Sequence, residues 1–427
     1  MKLSSVIVFS LCLLVSFVAS ARDILIKDAK IYALAKTDVI EQGDILIRDG
    51  RISAVGKDIV AGNDAQVIEA GGKVVTPGLF NAYTHLGLVE IQQVSQTVDL
   101  VTRDKMFSAS YNITPALNPY STLIPFNRMH GLTLALVAPE PGHNVFAGQA
   151  AIIQLDEDNN FILNDSAAVF ASFGIASGQF AGGSRAAAYA RLRQAFIDAL
   201  EYDKHREQVM RANWRHFSLP LHDLDALLPV LKKQKPLVVS VDRASDIKTI
   251  IGLKKEFALN LVITGATEAW MVAEELAAAN IPVIINPMNN LPGDFDSLAA
   301  RLDNAAQLQQ AGVLVSLSSA GMLMDHNAYL VRQGAGNAAA YGMSSVEAVK
   351  AMTLNPARIF GLDNRFGSIE PGKQADLVIW DGDPLELFTR AGQVMINGKL
   401  MPMVSRSTRL RDRYRDLSSD EPFIYRK

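Results

Sequence analysis

Val75-Thr76-Pro77-Gly78-Leu79-Phe80-Asn81-Ala82-Tyr83-Thr84-His85-Leu86-Gly87 decides the reading of this chain. An apolar, strand-like run is cut by Pro77-Gly78, resumes, and ends on a histidine. Pro and Gly together punctuate a run and start a new element. Residues 23–77, on the N-terminal side, carry short strand patterns such as Asp44-Ile45-Leu46-Ile47-Arg48 and Arg51-Ile52-Ser53-Ala54-Val55, joined by the hairpin turn Asp49-Gly50. The same texture returns in Asp376-Leu377-Val378-Ile379-Trp380 and Gln393-Val394-Met395-Ile396, which is followed by Asn397-Gly398. Each β piece is too small to bury its own face, so the two are expected to form one β-sandwich.

After Pro77 the texture changes. Runs dense in Val and Ile alternate with helical stretches. The strand candidates are Val74–Ala82, Leu132–Val137, Ala150–Leu155, Ala167–Phe173, Leu237–Val241, Leu259–Ile263, Ile281–Ile285 and Val313–Leu317. Candidate helices include Ser184–Leu200, Thr267–Ala279 and Ser345–Leu354. Apolar strands without polar alternation suggest a parallel sheet buried on both faces. Eight such units predict an α/β fold, a (β/α)8 TIM-like barrel. An open doubly wound sheet is the alternative, but no glycine-rich dinucleotide fingerprint supports it.

Composition narrows the class. The 427 residues include 41 Lys+Arg and 44 Asp+Glu, a net charge of −3, which gives no bulk electrostatic basis for nucleic-acid binding. The single cysteine, Cys12, excludes a disulfide framework and a cysteine-rich metal site. Met1-Lys2-Leu3, the apolar run 6–18 and Ala19-Ser20-Ala21 read as a secretory signal peptide over residues 1–21. The protein is therefore expected to be exported, to a periplasm or outside the cell. No later stretch is apolar for long enough to span a membrane. The expected organisation is a signal peptide (1–21), a composite β-sandwich (22–77 plus 364–404), a barrel (78–363) and a charged tail or edge helix (405–427).

Four motifs carry a family resemblance. The opening stretch resembles the start of the barrel in the amidohydrolase superfamily, and the imidazolonepropionase-like branch in particular. Ala335-Gly336-Asn337-Ala338, Thr353-Leu354-Asn355-Pro356-Ala357 and Gly367-Ser368-Ile369-Glu370-Pro371-Gly372-Lys373-Gln374-Ala375-Asp376-Leu377-Val378 are similar to it as well. The resemblance implies hydrolysis of non-peptide C–N bonds at a divalent metal, zinc above all. The metal would be held at the C-terminal ends of the barrel strands. Two His after the first strand, a Lys or Glu after the fourth, single His after the fifth and sixth, and an Asp after the eighth would supply the ligands and the base.

This chain departs from that set. Tyr83 stands where the first His is expected, and His85 is the one clear surviving ligand. The fourth strand runs into Gly174-Ile175-Ala176-Ser177-Gly178 with no Lys or Glu. Ser240 occupies the fifth-strand position, and Val262-Ile263-Thr264-Gly265 has no His. Ser319 replaces the Asp after the eighth strand. One imidazole would not hold a catalytic zinc, which takes three protein ligands.

Other polar residues stand near strand ends. Asp325 and His326 are the catalytic candidates, and Tyr83, His143, Asp242 and Arg243 are binding candidates. A regrouped centre of His85, His143, Asp325 and His326 is one reading; scattered loop polars are the other. Asp242-Arg243-Ala244-Ser245-Asp246 has the pattern of a helix N-cap. Three functions stay open: a metal-dependent hydrolase, an inactive amidohydrolase-like barrel, and a metal-independent enzyme using His85 or Asp325. The inactive barrel would bind a small amide-type ligand or serve as a scaffold, as a homodimer or beside an intact paralogue.

Overall fold

The computed structural model describes residues 22–157, 161–289, 291–319 and 326–415. The expected signal peptide, Asp325 and the end of the charged tail lie outside the described residues. The first five strands are β1 (Ile24–Tyr32), β2 (Val39–Arg48), β3 (Arg51–Gly56), β4 (Gln66–Glu69) and β5 (Val74–Pro77). β6 (Leu79–Thr84), β7 (Leu132–Val137), β8 (Phe146–Gln154), β9 (Ile162–Ser172), β10 (Leu237–Val241), β11 (Leu261–Gly265), β12 (Val283–Ile285) and β13 (Val315–Leu317) follow. The last three are β14 (Leu377–Trp380), β15 (Ala391–Ile396) and β16 (Lys399–Leu400).

The two ends of the chain do form one unit. β5 pairs with β14 antiparallel and with β1 parallel, so a single sheet runs β16-β15-β14-β5-β1-β2-β3, with β4 also on β1. This sheet packs around one core that includes Ile26, Ile31, Ile45, Ile52, Leu377 and Met395. The two hairpin turns read from sequence both take positive φ and meet each other: a Cβ on Gly50 would lie 2.7 Å from the Asn397 carbonyl oxygen.

The second sheet is the barrel, ordered β13 to β6. Its strands bury both faces, as their composition requires. Leu237, Val239 and Val241 of β10 join the large cluster facing the helices, and Val238 joins the interior cluster with Phe80, Leu134, Phe170, Val262 and Ile284. Ala357, Ile359 and Phe366 close one end of that interior. Two details differ from the sequence reading. The candidate Val74–Ala82 is two strands, split at Gly78 between the two sheets. β8 runs antiparallel to β7 and β9, so only the other seven strands are parallel. Its connections, 138–145 and 155–161, are too short for a crossover helix, which needs about a dozen residues. Among the described residues, no helix is long and apolar enough to cross a membrane.

Buried polar groups join the sheets. Asp376 accepts from the Gln154 side-chain amide (2.8 Å) on β8 and from the Asn397 backbone N–H (2.8 Å). Its carbonyl takes the Gly78 N–H (2.8 Å). Trp380, 1% exposed, donates from its indole to the Thr76 hydroxyl (2.9 Å). Burial pushes the Asp376 carboxyl up to about 6, against the lowering effect of its two hydrogen bonds. A carboxyl with a folded pKa above its unfolded value stabilises the fold while protonated, and ionising it costs stability. Wild type should therefore lose about 3 kcal/mol relative to Asp376→Asn between pH 3 and pH 7, and no more above that. Denaturant unfolding of both proteins across that range checks it; parallel stability curves would refute it.

Candidate functional site

The mouth of the barrel is built by the next inward residue on each strand. Side chains alternate along a strand, so the residues two beyond Phe170, Val238, Val262 and Ile284 share their face. Those residues are Ser172, Ser240, Thr264 and Asn286. Ser172, Ser240 and Thr264, at the ends of the fourth, fifth and sixth strands, thus carry hydroxyls where the resemblance implies amine, carboxylate or imidazole, and Asn286 adds an amide after the seventh. Ser172 and Thr264 are buried, and the Ser172 hydroxyl has no hydrogen-bond partner among the described residues. Tyr83 packs its ring on Phe170 (5.4 Å between centroids) and edge-on to His85 (5.7 Å).

His85 is 3% exposed, and its Nε2 lies 3.6 Å from Glu140 Oε1. That is ion-pair range but beyond a good hydrogen bond. The Glu140 N–H donates to the Leu100 carbonyl (3.1 Å), which fixes the loop after β7. The sequence reading missed Glu140 as a site residue. Its signal was its position, directly after an apolar strand and in the same loop as His143.

The His143 Nδ1 and the His326 Nδ1 are each buried without a hydrogen-bond partner. The His326 carbonyl accepts from the Asn127 amide (3.0 Å). Asp325 is outside the described residues. Among the described residues, no three His, Cys, Asp or Glu side chains group as a metal site would require.

Asp242 and Arg243 form neither a cap nor an ion pair with each other. Asp242 Oδ1 accepts from the Thr267 hydroxyl (2.6 Å) and its N–H (3.2 Å). Burial raises its pKa; the Thr267 hydrogen bonds oppose the shift, and the Asp294 and Asp296 charges add to it. Arg243 is exposed and makes no side-chain cap at the helix Ala244–Phe257. Glu268 does that work from β11's side. Its Oε2 accepts from the Ala244 N–H and its Oε1 from the Ala299 N–H, both at 3.0 Å. Asp246 pairs instead with Arg185, which also binds Asp296. An open cleft of about 380 Å³ adjoins this acidic edge, lined by Asp242, Thr267, Met288, Leu291, Asp294 and Ser297.

Ser319, in place of the expected base, has a structural partner. The buried Asn81 amide on β6 donates to the Ser319 hydroxyl and to the Ala328 carbonyl, both at 2.7 Å. This closes the seam between the first and last barrel strands. Removing a buried donor strands its acceptors at a cost of about 1–3 kcal/mol. Asn81→Ala should lower unfolding free energy by about that much, and Ser319→Ala by less, because Ala328 keeps its donor. Equal losses in urea denaturation would contradict this reading of the seam.

Residues 183–401 match the model of the amidohydrolase family. Amidohydrolase tasK of Hapsidospora irregularis is 24% identical over 381 residues, 78% of this chain but only 37% of that protein. The 5'-deoxyadenosine deaminase of Methanobrevibacter smithii is 24% identical over 389 residues, 84% of each chain. The crystal structure of an amidohydrolase from Thermotoga maritima MSB8 superposes with a TM-score of 0.78 at 28% identity, covering 90% of this chain and 100% of that one.

Proposed function

The chain belongs to the amidohydrolase family, and on that premise we propose that its barrel binds a small ligand without metal-dependent hydrolysis. The family's chemistry is hydrolysis at C–N bonds, and the family typically uses a divalent metal to activate water. The residues at this mouth do not fit that metal. Neutral hydroxyls at Ser172, Ser240, Thr264 and Ser319 are poor ligands beside imidazole or carboxylate, and His85 already faces Glu140. The hydroxyls at these strand ends carry the reading.

The ligand class that suits this mouth is small and neutral, with amide-type donors and acceptors for the serine, threonine and asparagine side chains. A scaffold role beside an intact paralogue is the related form of the proposal. The pattern of residues 1–21 supports export, to a periplasm or the outside of the cell. A second reading rests on one observation. A carboxylate beside a buried imidazole is the pairing that orients a general base, so His85 and Glu140 would serve metal-independent acid–base chemistry.

Zinc analysis after equilibration with the metal is the test. The expected outcome is zinc far below one per chain, and no hydrolysis that a chelator abolishes. One tightly held zinc per chain, with chelator-sensitive hydrolysis of an amide substrate, would overturn the proposal. Any metal-independent activity that survives His85→Ala removes the second reading.

A further inference from the structure

A large cavity lies away from the mouth. It holds about 810 Å³ on the flank of the barrel, between the helix Leu123–Arg128, the turn end of the β8–β9 hairpin and the helix Arg406–Tyr414. The hairpin end lies at the starts of the parallel strands, since the Leu155 N–H donates to the Thr133 carbonyl near the start of β7 (2.9 Å). His85, Glu140 and Asp242 stand at the other ends of the strands. The lining comes from the segment 119–128, from Asp156, Glu157 and Phe161, and from the segment 402–410, all outside the span that matches the family.

The lining is mixed. Pro119, Ile124, Pro125, Phe161, Val404 and Leu410 give it apolar surface. Arg406 and Arg409, one helical turn apart, add two guanidiniums, and neither has an acidic partner among the described residues. The two acids in the lining are already engaged. Glu157 pairs with Arg128 (2.5 Å), and Asp156 accepts from the Asn397 amide (2.8 Å). Arg128 is 3% exposed and lines the same cavity. It gives the Leu155 carbonyl one hydrogen bond (3.2 Å), and its Nε has no partner. Ser405 caps the helix that carries the two arginines, so the positive end of its dipole opens on the cavity. The segment 119–128 is braced by Glu90, which accepts from the Ser121 hydroxyl and the Asn118 amide, both at 2.9 Å.

We propose that this flank cavity is a second binding site, for a small organic anion with an apolar body. The Arg406 and Arg409 guanidiniums hold the anionic group, and the apolar residues of the lining take the rest. The volume suits one such molecule. The site is separate from the barrel mouth and stands or falls independently of the function proposed there.

Full-length protein is titrated with decanoate, decanol and inorganic phosphate by calorimetry, with thermal shift alongside. Decanoate should bind at one site per chain and raise the melting temperature, with decanol at least about tenfold weaker and phosphate weaker still. The Arg406→Ala/Arg409→Ala protein should lose decanoate affinity by about tenfold or more, with decanol unchanged. Val404→Trp, at a partly exposed wall position, should block both. Decanol binding as tightly as decanoate, decanoate affinity kept in the double variant, phosphate binding as well as decanoate, or no binding by any probe would each overturn the proposal.

Discussion

At Gly78 the backbone passes from β5 into β6, and any side chain there would overlap Thr133 on the neighbouring strand β7. The chain leaves one sheet and enters the other at a point where the Thr133 side chain leaves no room for a Cβ. Asp376 secures the crossing: its carbonyl holds Gly78, and its carboxyl reaches β8 and the turn after β15. Gly131 allows the same closeness on the next connection, where a Cβ would lie 2.7 Å from the Trp380 ring. Everything that β6 presents at the mouth inherits its position from this crossing. Asn81, Tyr83 and His85 lie within seven residues of Gly78, so moving the crossing would move all three.

Much of this architecture was legible in the sequence because short-range rules govern it. Asp49-Gly50 and Asn397-Gly398 are hairpin turns because both residues of such a turn need positive φ, and that needs no tertiary information. The apolar runs marked the barrel strands because strands buried on both faces have no polar alternation. The direction of β8 was harder to see, since an apolar run reads alike in both directions. Only the short connections on either side carried that information.

The site was legible in what it lacks and poorly legible in what it holds. Tyr83, Ser240, Thr264 and Ser319 could be placed by counting along strands. The pairing of His85 with Glu140 joins loops after two different strands, and no spacing rule links them. Asp242 looked like a helix cap because cap residues are recognised by type. Glu268 satisfies the helix N-terminus from 24 residues away, and Asp242 turns to Thr267. Local sequence patterns cannot rank two carboxylates that compete for one helix end.

The hydroxyls at the mouth also make sense energetically on the proposed reading. A cluster of carboxylates and imidazoles at a closed barrel mouth is tolerable when a divalent cation neutralises it. Without the cation, each buried charge costs its desolvation with nothing to offset it. Asp242 shows that cost on a small scale: near two other carboxylates and partly buried, its pKa rises even with two hydrogen bonds from Thr267. Serine and threonine at the remaining positions carry no charge to neutralise. A barrel that gave up the metal would therefore be selected to give up its ligands together. Ser172 and Thr264 carry no charge at two buried positions, whereas His85, also buried, persists where a carboxylate on an exposed loop still faces it.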